Sequence, residues 1–459
     1  MEVIPPQREP KHSLPLPFVA KTLILGLVAL LLLIPLFMVE GLVSSRQYEG
    51  HKATQEITSR WGESQNILTP VLVVPYTPDV KDAQESALYL IPEEVSADAV
   101  LDIENRHRSI YEVAVYTAHV DLSGTWRAEE IRRALSEVKG TYDLSRAKVA
   151  LSTSDATGYR DIVKIKVNGK EYKMKNDPSL STLTTCIDDN YGDLMEVNFP
   201  YLSDRDVTGV PLSADLPLSD DEEMPLRDLS FSLQTDIAGS EHFGLLAVGV
   251  SAKSSIKGNW PDPSFRGKKL PDDYSITGGD FEARWSTFAE DNLLTESGQQ
   301  TLLRNSHFVS LLRPVDNYAQ TERSVKYGIL VIALTLLSVY LVELTLRRRG
   351  GSINLLHYVL TGLSLVLFYT LLLSMSEVIG FGLAYLISAV MTIGLNTIYF
   401  RMILPETRKA LLLGGIMTLL YLIIYVLMQL ESYALLIGSL VLFVILAIVM
   451  YISAKTLRD

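Results

Sequence analysis

Residues Leu23–Val39 are dominated by Leu, Ile, Val and Ala, follow directly on Lys21, and continue through Glu40 to Val43. A helix crosses a bilayer with about 20 predominantly apolar residues, so a run of this length and purity reads as a membrane span over residues 22–44. It is long for the apolar core of a signal peptide, and no Ala-x-Ala cleavage pattern follows it. The expectation is an uncleaved signal anchor behind a short tail, residues 1–21.

Five further apolar runs lie at the other end of the chain: Val325–Leu346, Leu355–Leu373, Val378–Tyr399, Ala410–Leu430 and Tyr433–Ala454. Residues 324–459 therefore read as a five-helix block, and six spans are expected in all. Lys and Arg in short loops set orientation. With the N-terminus inside, the inner segments carry Arg8, Lys11 and Lys21, then Arg347, Arg348 and Arg349, then Arg401, Arg408 and Lys409, and finally Lys455 and Arg458. The short outer turns, Ser374–Glu377 and Gln429–Ser432, carry none. This bias places both termini in the cytoplasm and residues 45–323 on the outer face.

The 48% hydrophobic content averages a charged middle segment with apolar ends, and the net charge is −12. Nucleic-acid binding requires Lys and Arg to neutralise phosphates, so the acidic balance argues against that class of partner. The single cysteine, Cys186, allows no internal disulfide and no thiolate metal cluster.

Period-two alternation runs through residues 45–323. Ile162-Val-Lys-Ile-Lys-Val167 and Lys170-Glu-Tyr-Lys-Met-Lys175 flank Asn168-Gly169, the signature of a type I′ hairpin. Further strands are expected at Val71–Tyr76, Ser109–Val120, Lys148–Thr153, Leu229–Thr235, Leu245–Ser251 and Phe281–Phe288, with one amphipathic helix at Ala128–Lys139. Residues 204–228, rich in Pro and Leu beside Asp220-Asp-Glu-Glu223, read as a linker or a long loop, at which the domain could divide into two lobes. The fold class predicted is an α-helical bundle of six transmembrane helices plus a large, mostly antiparallel β extracytoplasmic domain.

No specific catalytic or cofactor spacing is present: no nucleophile elbow, no His-Glu-x-x-His, no P-loop and no dinucleotide fingerprint. Ser136–Lys139 and Ser254–Lys257 match Ser-x-x-Lys, a two-letter pattern that recurs by chance, and the elements that accompany it in penicillin-recognising enzymes are absent. The seven histidines do not cluster as zinc ligands would. No catalytic residue, metal ligand or cofactor is predicted.

Ionisable and polar groups at membrane depth are costly and so informative. Glu343 falls near the inner end of its span, where it can snorkel or pair with Arg347. His357 opens the next span, Glu377 marks an outer boundary, and Asn396 lies deep enough to bond across helices. Gly380, Gly382, Gly394, Gly414, Gly415 and Gly438 are expected to let helices approach closely.

The junction between the middle segment and the C-terminal block is distinctive. Leu311-Leu-Arg-Pro-Val-Asp-Asn-Tyr318 leads into Thr321-Glu-Arg-Ser-Val-Lys-Tyr-Gly328. Then come Ile353-Asn-Leu-Leu-His-Tyr-Val-Leu-Thr-Gly362, Leu367-Phe-Tyr-Thr-Leu-Leu-Leu-Ser-Met-Ser-Glu377 and Ile379-Gly-Phe381. With Trp260-Pro-Asp-Pro-Ser-Phe-Arg-Gly267 and Phe281-Glu-Ala-Arg-Trp285 upstream, the chain resembles the CreD family of bacterial inner-membrane proteins. The resemblance implies one span, a periplasmic domain, a C-terminal bundle and a part in envelope integrity and stress response. It carries no catalytic residues or cofactor.

At this junction Arg313, Asp316, Tyr318, Arg323, Lys326 and Tyr327 can contact lipid headgroups or couple domain to bundle. The partners expected are the bilayer and periplasmic or envelope components. The reading is a non-enzymatic envelope protein with a β-rich binding or sensing domain. The rival is a transporter or transport-complex subunit.

Overall fold

The computed structural model describes residues 16–108, 111–180, 183, 209–220, 225–289, 307–311, 317–347 and 353–429, with scattered positions between 436 and 450. Two compact units result: residues 1–50 with 314–459, and residues 51–313.

The first unit is helical. Helix α1 (Leu16–Trp61) has 46 residues, more than twice the bilayer requirement, and its residues from His51 onward belong to the second unit. Helices α3 (Asn317–Lys326) and α4 (Gly328–Arg347) meet at a 41° bend. Three long helices follow: α5 (Leu355–Ile379), α6 (Phe381–Ile403) and α7 (Thr407–Gln429). Against six expected spans, four helices among the described residues are long and apolar enough to cross a membrane, or five if α3 and α4 count as one. Most of the sixth, Tyr433–Ala454, lies outside the described residues.

The run Val325–Leu346 is not one straight helix. It breaks at Tyr327, where Gly328 lies so close to Leu36 and Tyr369 that a Cβ would meet the Leu36 side chain at 2.8 Å. The bundle core joins Leu32, Leu36 and Val43 of α1 to Val331 and Val339 of α4, Phe368 and Leu372 of α5, and Met417 of α7. Close helix approach is achieved at Gly362, where a Cβ would meet Leu32, and at Gly414, where it would meet Thr397. The other glycines expected to serve this purpose meet nothing within 3.4 Å.

The second unit is built from two sheets. One contains β1 (Gln65–Pro78), β2 (Ser86–Leu90), β5 (Gly140–Tyr142), β6 (Lys148–Thr153), β9 (Lys175–Asn176), β10 (Val210–Asp215), β12 (His242–Leu246), β14 (Ser264–Gly267) and β17 (His307–Ser310). The other contains β3 (Glu94–Arg108), β4 (Tyr111–Trp126), β7 (Lys164–Val167), β8 (Lys170–Lys173), β11 (Leu229–Ser240), β13 (Ser251–Gly258), β15 (Asp273–Thr277) and β16 (Asp280–Phe288). Strand order is β14-β17-β12-β1-β6-β10-β9 in the first, with β2 and β5 on β1, and β15-β16-β13-β3-β4-β11-β7-β8 in the second. Pairing is antiparallel except for β1 with β12 and β3 with β13, so the domain is mixed.

Alternation explains the packing. β3 is buried at every second position from Val95 to Ile103, and these side chains meet Leu72, Val74 and Leu151 of the facing sheet in one core. β1 is buried on both faces: Ile67, Leu72 and Val74 join the main core, and Leu68, Val71 and Val73 join a second cluster with Tyr89, Leu180 and Val248, with a register shift between Leu68 and Val71 changing which positions face each. Helix α2 (Ala128–Glu137) buries Ile131, Ala134 and Leu135 on the main core.

Within residues 204–228, β10 pairs with β6 and β9, and both sheets contain strands from before and after that stretch. One expectation is corrected. Leu245–Ser251 is not one strand, because β12 ends at Leu246 in one sheet and β13 begins at Ser251 in the other.

Candidate functional site

Some of the charged groups on the apolar helices are paired. Lys21, near the start of α1, donates to Glu343 Oε1 and, at 2.8 Å, to the carbonyl of Ile353. Tyr358 donates to Glu343 Oε2 at 2.6 Å, and the Lys21 ammonium lies 5.8 Å from the Tyr358 ring. Beside them the hydroxyls of Thr22 and Tyr340 are 2.9 Å apart. Glu343 is 2% exposed and Lys21 22% exposed, so the carboxylate depends on this pairing while the ammonium is less enclosed. Each oxygen of Glu343 has a donor, which a buried charge needs. Glu343 therefore does not snorkel: α1 and α5 enclose it and supply both donors.

About 25 residues further along α1, roughly 37 Å at 1.5 Å per residue, Arg46 lies 3.8 Å from Glu377 Oε1. The same oxygen accepts from Tyr318 at 3.2 Å. α1 is thus ion-paired into the helical unit near both ends of its apolar stretch. Between these ends, Asn396 donates to Ser364 Oγ at 2.7 Å, a cross-helix bond, and at the Glu343 end His357 Nδ1 is 2.7 Å from the Tyr399 hydroxyl.

Of the junction residues, Tyr318 and Tyr327 pack against the bundle core, Lys326 pairs with Glu322 at 2.7 Å, and Arg323 is half-buried. Arg313 and Asp316 lie outside the described residues.

In the β unit the last turns of α1 are fastened by Trp61. Its ring lies between the guanidinium groups of Arg106, at 4.2 Å, and Arg160, at 4.8 Å. Its indole donates to the Tyr116 carbonyl at 3.2 Å, and Arg160 donates to the Trp61 carbonyl at 3.3 Å. One turn back, Glu56 pairs with Arg108 at 2.8 Å.

The Ser-x-x-Lys matches do not assemble. Ser254 faces the core and lies 2.7 Å from His307 Nε2, whereas Lys257, an odd number of residues on, faces outward to Glu282. Ser136 donates to the Arg133 carbonyl on α2. His119 is exposed and pairs with Asp236 at 2.7 Å. No group of three His, Cys, Asp or Glu side chains with metal-binding geometry occurs among the described residues.

His242 and Asp177 are among the electrostatically displaced groups of the β unit. Burial, with the nearby Arg266 charge, pushes the His242 imidazole down to about 4. Burial acts to raise the Asp177 carboxyl, but hydrogen bonds from Lys148, Ser179 and Ser213 outweigh it and hold Asp177 well below the usual carboxylate range.

Lys21, Tyr358 and Trp61 are the residues that sequence reasoning did not single out. Lys21 counted only as an orienting charge, and the one available signal was its position directly before an apolar run that must answer a buried carboxylate.

Fold and paired charges define a helical membrane protein that carries a large two-sheet β domain. Residues 17–456 match the family described as Inner membrane protein CreD, and with nearly the whole chain covered the chain belongs to the CreD family. Inner membrane protein CreD of Escherichia coli (strain K12) is 27% identical to it over 439 residues, 92% of this chain and 90% of that relative.

Proposed function

We propose that this inner-membrane protein supports envelope integrity under stress, with a non-catalytic β domain that binds or senses a periplasmic or envelope component. In this reading the domain lies in the periplasm, both termini lie in the cytoplasm, and α1 carries the state of the domain to the bundle. The observation that carries it is the fastening of α1 in each unit, through Trp61 between Arg106 and Arg160 and through Lys21 with Glu343. A helix that served only as an anchor has no need of a double cation–π clamp at its far end. Family membership and the loop charges support the location and the orientation. The junction residues Arg313, Asp316, Tyr318, Arg323, Lys326 and Tyr327 are a second route of coupling in the same reading.

The test is rescue of a bacterial strain deleted for its own CreD gene and grown under detergent stress. The intact chain is expected to restore growth, and a Trp61→Ala chain inserted at the same level to restore it poorly. Full rescue by a chain lacking the β domain would overturn the reading. So would turnover of an envelope substrate by the domain that one substitution abolishes.

A further inference from the structure

The eight-stranded sheet ends in two edges of different character. At one end β8 carries Lys170 and Lys173, charged side chains of the kind that keep an edge from pairing. At the other end β15 reads Asp273-Tyr-Ser-Ile-Thr277, with no Lys and no Pro. All five residues are exposed, and among the described residues no strand pairs with the outer side of β15.

The apolar face of the sheet runs out to this edge. Tyr274 lies beside Ala283 and Ile276 beside Phe281, both buried residues of the main core. The Tyr274 ring is 5.2 Å from that of Phe265, which packs against the same core. Yet Tyr274 is 59% and Ile276 45% exposed, where one more strand would cover them.

The turn decides which backbone groups are free. Gly278 and Gly279 have φ of 67° and 97°, the two positive values of a type I′ turn. That turn makes Thr277 and Asp280 a hydrogen-bonded pair. Antiparallel pairs alternate, so Ser275 and Glu282 form the next one. The N–H and C=O groups of Tyr274 and Ile276 therefore point away from β16 into the open edge.

We propose that β15 is an interface between two copies of this chain, paired antiparallel about a two-fold axis at Ser275. That register sets Tyr274 of each copy opposite Ile276 of the other, so that their free N–H and C=O groups bond to each other. Each ring also meets a β-branched side chain, a favoured cross-strand pair. On the other face Asp273 falls opposite Thr277 and Ser275 opposite itself, so no like charges are opposed. Sliding one copy by one residue would oppose free groups to groups already bonded to β16. Five residues a side is well below the roughly 20–30 of a stable interface. The contact is therefore reversible and depends on the membrane to concentrate the chains. It requires no ligand and stands apart from what the β domain binds.

The experiment is oxidative cross-linking of the full chain in bacterial membranes, in a Cys186→Ser background. Ser275 meets itself in a non-hydrogen-bonded pair, with Cα atoms about 4.5 Å apart. A disulfide spans about 4.4–6.8 Å between Cα atoms. Ser275→Cys is expected to form a disulfide-linked dimer of the chain several-fold faster than Lys173→Cys on the opposite edge. Thr277→Cys alone is expected to link slowly, because it faces Asp273, and combining it with Asp273→Cys to restore fast linking. Adding Ile276→Lys to Ser275→Cys is expected to slow linking to the Lys173→Cys rate. Linking of Ser275→Cys no faster than Lys173→Cys would overturn the proposal, as would linking unaffected by Ile276→Lys. So would Thr277→Cys linking as fast as Ser275→Cys, or Ser275→Cys linking to a different protein.

Discussion

Lys21 and Glu343 are joined across the helical unit as an ion pair whose two partners differ in burial, with the carboxylate enclosed and the ammonium side chain partly exposed. The asymmetry gives the two removals different consequences. Lys21→Met leaves a carboxylate buried with Tyr358 as its remaining side-chain donor, and breaking a buried pair in this way costs about 3–5 kcal/mol. Glu343→Gln leaves an ammonium that is less enclosed, so its loss is smaller. The double variant is expected to recover most of the Lys21→Met deficit. Thermal unfolding in detergent checks the order, and equal losses for the two single variants would refute it.

Trp61 is held by two guanidinium groups and one carbonyl. Trp61→Ala removes all three contacts and is expected to destabilise the β unit by roughly 2 kcal/mol, from two cation–π contacts and one hydrogen bond. Trp61→Phe keeps a ring for the stacking and loses the donor, so its loss is smaller. Denaturant unfolding of the intact chain separates the two.

His242 gives a pH signature. Its imidazole titrates at about 4 in the folded chain and near 6.5 when unfolded. Between those values the unfolded chain binds the extra proton, so stability falls as pH drops from about 6.5 toward 4 and levels off below. A His242→Gln chain is expected to show a flatter Tm-against-pH curve in that window. The Asp177 carboxyl, displaced downward, acts at lower pH: its contribution is present above the ordinary carboxylate value of about 4 and is lost as pH falls through its folded value.

Asn396→Leu removes the bond to Ser364 from the middle of the bundle. Cross-helix hydrogen bonds in membranes average about 0.6 kcal/mol, so the expected change is a small drop in Tm with unchanged insertion. A loss as large as that of Lys21→Met would show that Asn396 does more than join α5 to α6.

What could be read from the chain follows from how local each signal is. The apolar runs, the Asn168-Gly169 turn and the face of α2 each announce themselves within one element. At the turn, Asn168 and Gly169 have φ of 48° and 80°. β3 gives a weak signal although it alternates, because Ala97 and Ala99 are weak apolar marks on either side of Asp98. Leu245–Ser251 looked continuous because the change of sheet after Leu246 leaves no trace in hydropathy. The site was harder still. Glu343 was visible as a costly residue, but its nearest candidate partner in sequence was Arg347, whereas the group that pairs with it, Lys21, is brought up by packing of α1.

Side-specific cysteine labelling tests the placement on which the proposed function depends. In a Cys186→Ser background, single cysteines at exposed Ser96 of β3 and exposed Thr407 of α7 are treated in intact spheroplasts with a membrane-impermeant maleimide. A periplasmic domain on a cytoplasmically terminated chain requires Ser96→Cys to label at once and Thr407→Cys only after permeabilisation. The reverse pattern would contradict it.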